Sequence, residues 1–246
     1  MNDGFVNEND LVDYIDKKKY NEYNGNIKKF LTFLFSTDID KSLPFSAKKI
    51  TGQIKPDLYI EHKNIRKYVS LKKGSGNSVH QEKISDFFPF VEEVLGVEQL
   101  NNLKLFHYGD DTLNDSGKQR YSASECKRKY TTEIQNFNKI VNQKNIINIF
   151  LDRFLFVGNV GNISVDVIYH GTKDEGSWAS KKEINNYVLS HNFDSNAIHF
   201  GPLNYQVWGR NEKKCAVHPD RRYVMQVKWS SLAKDLNTIR KGIHNE

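Results

Sequence analysis

The stretch Lys55–Glu82, KPDLYIEHKNIRKYVSLKKGSGNSVHQE, limits what this chain can fold into more than any other. Two runs of β-forming residues, Leu58–Ile60 and Tyr68–Leu71, flank a basic turn and are followed by glycines, the pattern of an antiparallel hairpin. Side chains alternate across a strand, so Ser70 and Lys72 project from one face. Pro56-Asp57 opens the first strand. The return strand is long enough to bring the Lys72 ammonium back beside the Asp57 carboxylate.

Beyond the hairpin, Ser78-Val79-His80-Gln81 has the form of a capping box, which predicts a helix from Ser78 with Glu82 in its first turn or just past it. The apolar stripe of that helix is Ile84, Phe87, Phe88, Val91 and Leu95. Extended backward, the stripe sets His80 and Gln81 inward and Glu82 roughly opposite.

The rest of the sequence alternates helical and strand-like segments. Residues 9–36 carry helical spacing interrupted at Asn24-Gly25, and LKLFHY, residues 103–108, reads as a strand. Ser122–Phe156 reads as a long helical region with Lys127-Arg128-Lys129 near its start, a basic cluster placed for phosphate contact. Strands are then expected at Asn162–Tyr169, Ala197–Trp208 and Tyr223–Trp229, with a short helix at Ser180–Leu189. The expected fold class is α/β, with a mixed central sheet flanked by helices and a β-rich C-terminal portion. The expected division is residues 1–156, a core with N-terminal helices, and residues 157–246, the β-rich portion.

A length of 246 residues suffices for a full hydrophobic core. The formal net charge of +6 points to a polyanionic partner. No apolar run approaches a membrane span and the N-terminus lacks the layout of a signal peptide, so a cytoplasmic protein is expected. Cys126 and Cys215 read as free thiols, and Cys215 with His218 is too small a set for zinc.

A carboxylate and a lysine held side by side suit phosphodiester hydrolysis. The carboxylate can hold Mg²⁺, and the ammonium can orient the attacking water and offset charge on the phosphorane. The glycines of Gly74-Ser75-Gly76-Asn77 let backbone approach a phosphate. At these residues the chain resembles the PD-(D/E)XK nuclease superfamily and, within it, the type II restriction endonucleases. The likeness covers the Lys55–Glu82 stretch only, and Ser70 stands where an acid is expected two residues before the lysine. Some members carry such an SxK triplet and draw the missing carboxylate from the following helix, which makes Glu82 the candidate here and Gln81 the alternative. A competing arrangement takes Asp166 with Gln226 and Lys228, a QxK triplet.

The resemblance implies Mg²⁺-dependent, sequence-specific cleavage of double-stranded DNA by a homodimer whose two-fold symmetry mirrors a palindromic target. Asp57 and Glu82 would hold the metal, Lys72 would orient the water, and Ser70 would occupy the place of the usual acid. Arginine reads guanine and asparagine reads adenine, so Arg210, Asn211, Arg221 and Arg222 are the expected DNA contacts. Two rival readings are a DNA-binding protein without catalysis and a repair or junction-resolving nuclease of the same superfamily.

Overall fold

Helices α1 (Asp3–Ile15) and α2 (Gly25–Phe35) precede three strands, β1 (Ser46–Lys49), β2 (Leu58–His62) and β3 (Ile65–Lys72). Then come β4 (Ser78–Lys83), α3 (Ile84–Leu95), α4 (Val97–Tyr108), α5 (Ala123–Lys129), α6 (Thr131–Val141) and α7 (Lys144–Leu151), the last continued by a π turn, Asp152–Phe156. The chain ends with β5 (Val167–Gly171), β6 (Gly176–Ser180), α8 (Lys181–Ser190), β7 (His199–Phe200), β8 (Leu203–Val207), β9 (Val224–Lys228) and α9 (Leu232–Ile243). These elements come from a computed structural model that describes residues 3–75, 78–118, 120–210 and 217–243. The fold is α/β, with one mixed sheet and one antiparallel sheet flanked by helices.

The chain forms two compact units, and neither matches a cut at residue 156. One comprises residues 1–77, 155–187 and 231–246; the other comprises 78–154 and 188–230. The cause is strand pairing. β5 lies parallel to β3 with Val69 opposite Val167, so the later segment returns to the sheet of the N-terminal strands, while β9 pairs with β4. The β-rich C-terminal portion is therefore shared between two sheets.

In the first unit the sheet order is β1-β2-β3-β5-β6, antiparallel except at β3–β5. The turn Lys63-Asn64 has positive φ at both residues, 51° and 65°, whose twist suits a two-residue hairpin. One face is sealed by α1 and α2. Ile27, Phe30, Leu31 and Leu34 at helical spacing pack with Leu58, Ile60, Val69, Leu71, Val167 and Trp178. Phe30 meets the rings of Tyr169 and Trp178 at 4.7 and 5.1 Å, contacts that add to the area they bury.

In the second unit the order is β4-β9-β8-β7, antiparallel throughout. Its core is aromatic: Phe200 stacks on Phe150 at 5.0 Å and meets Phe154 edge-on at 4.8 Å. Three expectations are corrected in this unit. Ser78–Lys83 is a strand and not a helix start, because pairing with β9 overrides a local capping pattern, and the helix begins only at Ile84. LKLFHY is the end of α4 and not a strand: Leu100, Leu103, Phe106 and His107 share a buried side at helical spacing, and Gly109 ends the helix in a left-handed conformation. The long helical region expected over Ser122–Phe156 is broken at Tyr130 and Asn142.

His107 yields a pH prediction. Fully buried, it bonds the Tyr205 hydroxyl through Nδ1 at 2.6 Å and the Arg222 carbonyl through Nε2 at 3.1 Å. A carbonyl only accepts, so Nε2 carries the proton and Nδ1 accepts from tyrosine, which is the neutral imidazole. Burial, with the charge of Arg210, pushes its pKa down to about 3. The unfolded chain therefore binds a proton that the folded chain does not, and stability falls as pH drops below the ordinary histidine value of about 6.5. Urea unfolding should lose about 1.4 kcal/mol per pH unit from this group between roughly pH 6 and pH 4. His107→Gln should remove that increment; an unchanged slope would contradict the assignment.

Candidate active site

Pro56 cannot donate to a ladder, and the pairing of β2 with β3 ends just after it, where the Asp57 amide donates to the Val69 carbonyl at 2.9 Å. With Leu58 opposite Val69 and buried, alternation sends Asp57 and Ser70 to the other face. Three donors converge there on one carboxylate oxygen. Asp57 Oδ2 accepts from Ser70 Oγ at 3.1 Å, from the Leu71 amide at 2.6 Å and from Lys72 Nζ at 3.1 Å. Lys72 Nζ also donates to the Leu71 carbonyl at 3.1 Å.

Asp57 Oδ1 takes no hydrogen bond from the described residues. The Lys72 and Asp57 side chains are 22% and 24% exposed, so the pair is part-buried but still reached and screened by solvent, and contributes about 1 kcal/mol to folding. Its geometry suits chemistry more than stability. The cluster lies at the carboxyl end of β3 beside the carboxyl end of the parallel strand β5, where open α/β sheets commonly carry ligand sites.

β5 adds a residue that sequence reasoning missed. His170 lies opposite Lys72 in the parallel register, and its Nε2 contacts the Gly74 carbonyl at 2.9 Å. Gly74 has φ +78°, which a side-chain-bearing residue rarely adopts. Gly76, Asn77, Asn211 and Cys215 lie outside the described residues.

Glu82 is not placed as expected. It sits on β4, in the second unit, buried with its two oxygens held by Arg153 Nε and Nη2 at 3.0 Å each. His80 Nε2 lies 3.3 Å from it. Burial raises its pKa, but the hydrogen bonds and charges of His80 and Arg153 outweigh burial and hold it below the usual glutamate range. This carboxylate serves as the acceptor of a bidentate ion pair. Gln81 is exposed on the opposite face of β4.

The competing arrangement divides between the units. Asp166 lies in the first and accepts from the Tyr68 amide at 2.7 Å, locking β5 onto β3, whereas Gln226 and Lys228 are on β9 in the second.

The expected DNA contacts also separate. Arg210 is turned inward: its guanidinium bonds the carbonyls of Phe106, His107 and Tyr121 and the Cys126 thiol, and so caps the end of α4. It is therefore a structural cation, because a helix C-terminus leaves carbonyls that need donors. Arg222 is tied to Asp115, which Arg120 and Tyr223 also contact at 3.0 Å. Arg221 lies over the Trp208 ring at 4.2 Å.

Among the described residues no group of three or more His, Cys, Asp or Glu converges on a metal position. The Asp57 cluster nonetheless fits Mg²⁺, which binds through one or two carboxylates and fills its shell with waters and substrate phosphate. Asp57 Oδ1 and the Leu71 carbonyl, which accepts from Lys72 Nζ at 3.1 Å, are the hard oxygens that would hold such an ion. No protein-family model matches the chain, and no curated protein matches it.

Proposed function

We propose that the chain is a Mg²⁺-dependent endonuclease that cuts double-stranded DNA at specific sites, in the manner of a type II restriction enzyme acting as a homodimer. The observation that carries this reading is the convergence of Ser70, the Leu71 amide and Lys72 on one oxygen of Asp57, with the other oxygen open. Bound Mg²⁺ would supply charge neutralisation at the scissile phosphate and a water of lowered pKa. Asp57 and the Leu71 carbonyl would hold the ion. Ser70 and the Leu71 amide fix the Asp57 carboxylate, so it needs no reorganisation on binding. Lys72 orients the attacking water and donates to a phosphate oxygen as negative charge builds there. The attacking water bonds to phosphorus through its oxygen and gives up a proton to solvent, the phosphorus–oxygen bond to the leaving strand breaks, and the leaving oxygen takes up a proton from solvent.

Among the described residues no helix is long and apolar enough to cross a membrane. The net charge of +6 favours a polyanionic substrate. Incubation of the full chain with phage DNA and Mg²⁺ tests the reading. Discrete bands are expected; a smear would indicate a non-specific nuclease, and intact DNA retarded in the gel would indicate a binder.

A further inference from the structure

The second sheet has one face in the aromatic core, with Tyr205, Met225, Val227 and Glu82 buried. Its other face is composed in an unusual way. The register aligns Gln206 of β8, Gln226 of β9 and Gln81 of β4 in one row across three strands. The next row is Asn204, Lys228 and Ser78. On the opposite side Trp208, whose amide donates to the Val224 carbonyl, aligns with Val224 and Lys83. These residues are exposed or half-buried.

No carboxylate stands in any of the three rows, in a chain with 30 Asp and Glu. Solvated strand faces ordinarily mix threonine with charges of both signs. Gln226 is already oriented, its Nε2 donating to Ser78 Oγ at 2.8 Å. Arg221 flattened on Trp208 and Lys83 supply cations at one edge. At the other edge a cleft of about 480 Å³ beside β8 is lined by Asn204, Gln206 and Lys127. Two carboxylates, Glu92 and Asp220, share a different cleft with Lys83 and Val224, at the end of the face away from Asn204 and Lys228.

From these observations we infer that the amide face of β4, β9 and β8 is a recognition surface for the major groove of duplex DNA, with Gln81, Gln206 and Gln226 reading adenines. The inference deepens the nuclease reading and rests on duplex DNA being the ligand. Strands about 4.8 Å apart put Gln81 and Gln206 about 10 Å from each other, within a major groove about 12 Å wide. Glutamine bonds the N6 and N7 edge of adenine bidentately, and lysine neutralises phosphate without reading sequence. Lys83, Lys228 and Lys127 therefore set position and the glutamine row sets sequence.

A binding selection tests this: the full chain, with Ca²⁺ replacing Mg²⁺, is offered a pool of duplexes with a randomised centre. The wild type should enrich a motif containing A·T pairs. Gln206→Ala and Gln226→Ala, at solvated positions, should each lower discrimination at an A·T position by about tenfold or more. Lys228→Ala should weaken all duplexes alike and lower the salt slope by about one. An unchanged motif in both glutamine variants, or no enrichment by the wild type, overturns the inference. Selection reads binding alone, so a chain that selects a glutamine-dependent motif yet never cuts DNA keeps this inference and sinks the nuclease reading. Cleavage at a motif indifferent to the glutamines does the reverse.

Discussion

Lys72→Ala should lower the single-turnover rate of DNA cleavage by about 10³-fold or more while leaving DNA binding and stability nearly unchanged. The rate follows from its proposed role: loss of one preorganised donor aimed at developing charge costs about 10²–10³-fold, and loss of water orientation adds to that. The small stability effect follows from exposure, since the ion pair with Asp57 is part-solvated and such pairs contribute about 1 kcal/mol or less. Asp57→Ala should be as inactive for a different reason, through loss of the metal's carboxylate. The two variants should differ when Mg²⁺ is raised: Asp57→Ala recovers no rate because no second carboxylate joins the cluster among the described residues, and Lys72→Ala saturates at ordinary Mg²⁺ with a low plateau. Wild-type cleavage by both would remove the site.

Arg153→Leu should be the most damaging substitution for the second unit, costing about 3–5 kcal/mol in urea unfolding. The Glu82 side chain is 1% exposed and that of Arg153 15%, so removal of the arginine strands a carboxylate in the core. Replacing both, as in Glu82→Met with Arg153→Leu, should recover much of the loss, because apolar residues of similar volume often substitute for a buried pair. Acid should act in the same direction. Glu82 has a folded pKa below its unfolded value, so its contribution is present above the unfolded value of about 4.3 and is lost as pH falls through the folded one. A loss under about 1 kcal/mol for Arg153→Leu would contradict a buried structural pair and restore Glu82 as a free carboxylate.

What the sequence made legible was local. The β2–β3 hairpin depends on its own turn and alternation, and so the approach of Asp57 to Lys72 follows from residues within the stretch itself. β4 depends on β9, residues far along the chain, and Ser78-x-x-Gln81 resembles a capping box whether or not a distant strand claims it. That local pattern is why the sequence points Glu82 to a helix that the strand pairing forbids. His170 joins the cluster only through the parallel pairing of β5 with β3, which alternation within Asn162–Tyr169 does not reveal. Arg210 shows the same limit from another side: its residue type suits a guanine, and only the fold brings it to the open carbonyls at the end of α4 that claim it. The glutamine row is a property of register, since Gln81, Gln206 and Gln226 come from separate segments.

The central claim is that Asp57 holds the metal ion. Electron paramagnetic resonance of Mn²⁺, an oxygen-seeking stand-in for Mg²⁺, titrated into the full chain with duplex DNA, measures it without relying on turnover. Wild type, Lys72→Ala and Glu82→Gln should each bind the ion, and Asp57→Ala should not. Retention of bound Mn²⁺ by Asp57→Ala, or its loss in Glu82→Gln with the fold intact, would contradict the account.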